Sequence, residues 1–171
     1  MLFRSDNLYL LEKEEDGSFQ VASTRLLPTV DVGSDSVPRF IDIDGDGDRD
    51  LLLANKIEPD DRQIGRVFLY ENVGTPLAPA FQRQGHLELA STFHQTPAPG
   101  DLDGDGDDDL VVGKWNRELA YFRNDGGTFV RVADPFIQLT RGSNATPVLG
   151  DLDADGDLDL LVGEASGTIN R

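Results

Sequence analysis

Residues 42–54 read DIDGDGDRDLLLA, five aspartates set directly against an aliphatic run. The pattern returns as DLDGDGDDDLVVG over 101–113 and as DLDADGDLDLLVG over 151–163. Aligned on the first aspartate, each block is D-x-D-[GA]-D-G-D-x-D. A β-turn uses four residues, so a nine-residue register kept three times asks for more than a turn. Carboxylates stand at positions 1, 3, 5 and 9, a glycine permits a sharp bend at position 6, and position 7 can offer its backbone carbonyl. Ca²⁺ takes six to eight oxygens at about 2.3–2.6 Å, and one block can supply such a set. Without a cation, carboxylates held this close repel one another and raise each other's proton affinity. The blocks therefore predict about three Ca²⁺ per chain. Mg²⁺ fits less well, because it demands octahedral geometry and keeps its waters.

The first six positions look like an EF-hand loop, but that loop needs a bidentate Glu at position 12 and a helix on each side. Position 12 here is Leu53, Val112 or Val162, each inside a β-type run. The EF-hand reading is set aside.

The blocks sit in a larger repeat. Their first aspartates, Asp42, Asp101 and Asp151, are spaced by 59 and 50 residues, and Pro38, Pro97 and Pro147 each stand four residues ahead. Beyond the aliphatic runs come VFLYEN, ending at Asn72, and LAYFRN, ending at Asn124. A turn follows, then a strand opened by Phe81 or Phe129. Most of the difference in spacing comes from IEPDDRQ (57–63), an insertion suited to a surface loop. The N-terminal NLYLLEK and DGSFQVAS match the last two strands of a repeat, and the C-terminal GEASGTINR reaches the start of a third. No window of 11 or more residues keeps a 3.6-residue apolar period, so helix is disfavoured. Four short strands per unit, repeated, predict an all-β chain of β-propeller blades. The expected division is 1–36 as the second half of a blade, 37–96 and 97–146 as whole blades, and 147–171 as the first half of another. About three blades are too few to close a ring. The chain is thus expected to be part of a longer propeller or of an oligomeric ring, in which half blades of neighbouring copies complete one another.

The unit DLDGDGDDDLVVG…LAYFRNDGGTF resembles the FG-GAP/VCBS-type repeat of integrin α-subunit β-propellers and of many bacterial secreted proteins. The resemblance spans essentially the whole chain. It implies a Ca²⁺-holding hairpin between the first two strands of each blade. The implied side-chain ligands are Asp42, Asp44, Asp46 and Asp50; Asp101, Asp103, Asp105 and Asp109; and Asp151, Asp153, Asp155 and Asp159. The carbonyls of Asp48, Asp107 and Asp157 would complete the sites. Ala154 replaces the Gly45 and Gly104 of the other blocks, at a position expected to be permissive. An extracellular or cell-surface setting also follows from the resemblance alone.

Charge and composition narrow the function. The blocks contribute −15 (16 aspartates against Arg49) of a net −17, leaving the rest of the chain near neutral. No basic footprint for nucleic acid is present, no apolar run is long enough to span a bilayer, and no secretion signal opens the chain. With no cysteine, disulfides and thiolate chemistry are excluded. His86 and His94 fall in the region expected as a loop before the second block, with no nucleophile–base arrangement, so no catalytic residue is assigned. Paired carboxylates could serve glycoside hydrolysis, but the dense ones are committed to metal. Trp115 reads as a blade-packing residue before a sugar platform, and Asn144 opens an N-x-T sequon. The expected function is a non-enzymatic calcium-binding module for an unknown protein or glycan partner. The alternative is the propeller part of a secreted polysaccharide-active enzyme.

Overall fold

A computed structural model describes residues 9–23, 27, 33–58, 64–89, 93–165 and 169–170. Residues 59–63, the body of the expected insertion, lie outside the described residues, as do 1–8 and 28–32 of the expected N-terminal half blade. Among the described residues every regular element is a strand.

Two sheets have four antiparallel strands in sequence order. The first is β3 (Val37–Ile41), β4 (Asp50–Ala54), β5 (Val67–Asn72) and β6 (Phe81–His86). The second is β7 (Thr96–Gly100), β8 (Asp109–Gly113), β9 (Glu118–Asn124) and β10 (Phe129–Gln138). A two-stranded hairpin, β1 (Leu10–Lys13) and β2 (Phe19–Ser23), precedes them. A three-stranded sheet, β11 (Thr146–Gly150), β12 (Asp159–Gly163) and β13 (Ile169–Asn170), follows. These are propeller blades, as the repeat predicts. Two differences stand out. The strand opened by Phe129 runs to Gln138, well past TFVRV, and His86 closes β6 instead of lying in a loop.

Each acidic block is the connection between the first two strands of its sheet. Ile41 pairs with Asp50, Gly100 with Asp109 and Gly150 with Asp159, so the last aspartate of each block is already in a ladder. The strand ahead of the block lies at the sheet edge and carries the prolines: Pro38, Pro97 with Pro99, and Pro147. An edge strand tolerates proline because one of its sides needs no N–H donor, and the proline blocks a fifth strand from adding there.

The aliphatic runs form the core. All five residues of β4 and of β8 are buried. Successive side chains point to opposite faces, and both faces are covered: β8 lies between two sheets, whereas β4 meets the next sheet on one face and Leu27 on the other. Leu52, Ala54, Ile41 and Ile43 share a cluster with Leu110, Val112, Ala120 and Phe122 of the next sheet. Leu51 and Leu53 point the other way, joining Phe68, Tyr70 and Leu27. Val111 turns toward the third sheet and meets Val162, with Leu102, Leu149 and Leu160 beside it.

Backbone contacts between sheets are close. The Thr96 hydroxyl donates to the Ala145 carbonyl at 2.6 Å. A Cβ at Gly113 would fall 2.0 Å from that same carbonyl, so only glycine fits. Between the first two sheets, the Gln95 amide donates to the Gly65 carbonyl at 2.7 Å.

Candidate metal centres

The three acidic loops fold alike because each is a ladder of side chain to backbone hydrogen bonds that short Asp side chains make readily. Asp42 accepts from the N–H of Gly45 (2.8 Å) and of Gly47 (3.0 Å). Asp101 does the same with Gly104 (2.7 Å) and Gly106 (3.0 Å), and Asp151 with Ala154 (2.7 Å) and Gly156 (3.1 Å). The N–H of Asp46 and of Asp105 reaches Asp44 and Asp103, each at 3.3 Å. One step on, the N–H of Asp48, Asp107 and Asp157 donates to Asp46, Asp105 and Asp155. The final aspartate then reaches back across the loop: Asp50 accepts from Ile43 at 2.7 Å, Asp109 from Leu102 at 3.1 Å and Asp159 from Leu152 at 3.0 Å.

This winding gathers Asp42, Asp44 and Asp50; Asp101, Asp103 and Asp109; and Asp151, Asp153 and Asp159, each trio with one oxygen per residue all within 4.8 Å of one another. Oxygens on a coordination sphere of about 2.3–2.6 Å radius can be no more than roughly 4.6–5.2 Å apart. The trios therefore fit a Ca²⁺-sized ion. Each carboxylate oxygen can accept an N–H and still offer a lone pair, so the bonds that shape the loop leave donors available. Asp46, Asp105 and Asp155, and Asp48, Asp107 and Asp157, stand outside these trios.

Electrostatics fits the same picture. Burial is the largest cause raising the carboxyls of Asp48, Asp50, Asp103 and Asp108 above the ordinary 3.8, with neighbouring aspartates adding to it. Around Asp109 the Tyr121 phenol, desolvated and donating to the carboxylate at 3.0 Å, is pushed up to about 12. These are negative charges crowded and partly dried, a condition a bound cation relieves.

Three supports were not read from the sequence as part of the site. Asn72 and Asn124 close the aromatic strands, and their N–H groups donate to Asp50 (2.7 Å) and Asp109 (2.9 Å). The Asn124 amide also donates to the Ile43 carbonyl at 2.8 Å, tying the second sheet to the first loop. Tyr121 is the third. The repeated terminal Asn was the available signal. The fourth position of the loop also differs from expectation: Ala154 has φ +62°, like Gly45 and Gly104 at +74° and +79°. It is a left-handed position, not a permissive one, and alanine carries a strain of roughly 1–2 kcal/mol there.

Trp115 stacks on Phe93 with centroids 4.7 Å apart and an interplanar angle of 28°, and stays 39% exposed. It thus packs across the connection between two sheets while leaving one face open. The buried Lys114 ammonium pairs with Asp134 and with Glu118.

Stacked four-stranded blades with an acidic hairpin between the first two strands define a propeller-repeat protein. The profile described as FG-GAP-like repeat matches residues 42–112 and 101–162, and the chain belongs to that family. It is also similar to integrin alpha-4 of Xenopus laevis, 38% identical over 74 residues. That alignment covers 42% of this chain and 7% of the relative. Among the described residues no helix is long and apolar enough to cross a membrane.

Proposed function

We propose that this chain is a calcium-binding β-propeller segment that presents its loops to a protein or glycan partner, in an extracellular or cell-surface setting, without catalysing a reaction. The observation carrying the reading is the threefold recurrence of an aspartate trio with oxygens within 4.8 Å, each in a loop whose first aspartate accepts from the N–H groups of positions 4 and 6 and whose last accepts from that of position 2. Asp42, Asp44, Asp50 and their counterparts would hold the ions. Asp46, Asp105 and Asp155, with the carbonyls of Asp48, Asp107 and Asp157, would complete the shells. A bound Ca²⁺ supplies the positive charge that these loops lack. The chain's own part is to fix the donors on a hairpin whose second strand is core, so that metal affinity becomes folding free energy.

Family membership supports a binding module over an enzyme, as does the commitment of the crowded carboxylates to loop structure. Calorimetric titration of chelator-stripped protein tests the metal reading. The expected result is about three Ca²⁺ per chain, from the number of trios. No heat of binding at millimolar calcium would defeat it. A glycan array and a panel of extracellular proteins, probed in calcium and in chelator, test the partner class.

A further inference from the structure

The turn that follows β9, from Asn124 to Gly127, stands between two acidic loops. The loop of its own sheet holds it from one side. The N–H of Asn124 donates to Asp109 at 2.9 Å, and that of Gly126 donates to Asp107 at 3.1 Å. On the other side the turn holds the loop of the first sheet. The Asn124 amide donates to the Ile43 carbonyl at 2.8 Å. A Cβ at Gly127 would fall 3.5 Å from the Cβ of Asp44, an ordinary packing distance. The crossing is dry, with Asn124 fully buried and Ile43 only 7% exposed.

The direction of the amide is settled by its surroundings. Asn124 Oδ1 accepts from the Gly127 N–H at 2.9 Å, which leaves the NH₂ group, a donor only, for the Ile43 carbonyl. Asn72 shows which of these duties the repeat shares. Its N–H donates to Asp50 at 2.7 Å, and its Oδ1 accepts from Gly74 at 3.1 Å and from Ala80 at 2.8 Å. Holding the last aspartate of the loop and shaping the turn are common to both asparagines. The reach of Asn124 into the preceding loop is an addition to them.

Ile43 is where such a reach meets the metal donors. It lies between Asp42 and Asp44, and its N–H donates to Asp50 at 2.7 Å. These three aspartates are the first trio. The Asp42–Ile43 peptide is therefore fixed from within the loop, by Asp50. The Ile43–Asp44 peptide is fixed from outside it, by Asn124. Asp44 itself is exposed. Were its leading peptide free, the ion would have to order that residue, and the cost would come out of the binding free energy.

We propose that Asn124, a residue of the second repeat, is a positioning residue for the metal site of the first. It touches no ion. Through the Ile43–Asp44 peptide it sets where Asp44 stands, and so the affinity of the first site for a Ca²⁺-sized cation. The inference rests on the metal reading above. It makes the first site complete only when the second sheet is packed against it.

The test uses two forms of the full chain, each keeping one of these two sites. Asp103→Ala with Asp153→Ala keeps the first, and Asp44→Ala with Asp153→Ala keeps the second. The changed aspartates are exposed, and each removal takes one oxygen donor from a trio. Calorimetric titration with calcium is run on both forms with Asn124 and with Asn124→Ala, at a temperature where circular dichroism shows them folded. The substitution keeps the backbone N–H that holds Asp109 and removes the donor to Ile43. Losing an outer partner of a metal site costs roughly 10–100-fold in affinity, so the first site should weaken at least about tenfold more than the second. A general loosening of the fold would weaken both alike. Equal losses, or none at the first site, overturn the proposal. Should Asn124→Ala not fold, the first-site form with Asn124 intact decides. There calcium should slow solvent exchange of the Asn124 side-chain amide, followed by NMR, and an unchanged rate overturns the proposal. Absence of calcium binding in both forms before Asn124 is changed defeats the metal reading and this inference with it, an outcome distinct from equal losses.

Discussion

The second acidic loop and the third share their internal hydrogen bonds almost atom for atom, yet they sit in different surroundings. Asp109 is fully buried and accepts from Leu102, Asn124 and the Tyr121 hydroxyl. Asp159 is part-exposed and accepts from Leu152. Local sequence therefore dictates the winding of the loop, whereas the cost of disturbing it depends on what the adjoining strands and sheets place against it. Four measurements bear on this contrast between the loops.

The largest effect is expected from removing calcium altogether, which should collapse the difference between the loops by weakening both. If each site is about hundredfold above its dissociation constant, it contributes about 2.7 kcal/mol, so three contribute roughly 8 kcal/mol. At about 2–4 °C per kcal/mol for a chain of this size, calorimetry in chelator should show a melting point roughly 15–30 °C lower. Coincident curves with and without chelator would show that the loops do not stabilise the fold through metal.

Next in size is a matched pair of substitutions measured in chelator, where only packing counts. Asp109→Asn sets an amide N–H₂ among buried donors and should cost about 2–3 kcal/mol. Asp159→Asn should cost about 1 kcal/mol or less. Equal costs by denaturant unfolding would mean that the surroundings do not matter.

Acidity should separate loaded from stripped protein by sign. Burial raises the folded-state carboxyls of Asp48, Asp50, Asp103 and Asp108 above 3.8. Their contribution is therefore fullest below about that value and is lost as pH rises through the raised one. The stripped chain should melt higher as pH falls from 7 toward 4. The loaded chain should melt lower, because protons compete with the ion for the same oxygens. Thermal scans that move in the same direction would contradict the crowding argument.

Smallest is Ala154→Gly, which relieves the left-handed alanine. A gain of about 1 kcal/mol in the third loop, with no comparable gain available in the first two, would match the geometry.

The sequence was informative where chemistry is local. The strands, their order and the placement of each acidic block on a hairpin follow from alternating apolar runs and Asp/Gly punctuation, and the Asp-x-Asp register places the trios. It was silent where function depends on a neighbour far along the chain. Nothing around Asn124 announces that its amide crosses to Ile43, or that Asp134 meets Lys114, because these contacts exist only once sheets stack. Ala154 was misjudged for a related reason: a glycine-to-alanine exchange looks mild until the sign of φ is known. The length of β10 escaped because the bulged stretch around Asp134 has no alternation to follow.

The two-faced strands have a consequence for how changes combine. Leu110 and Val111 are adjacent in sequence, but one belongs to the cluster shared with the first sheet and the other to the cluster shared with the third. Leu52 and Leu110 are separated by nearly a whole repeat and share one cluster. Double-mutant cycles should therefore find the adjacent pair close to additive and the distant pair strongly coupled. For a core built this way, proximity along the chain is a poor guide to energetic kinship, and the unit on which substitution acts is the seam between two sheets.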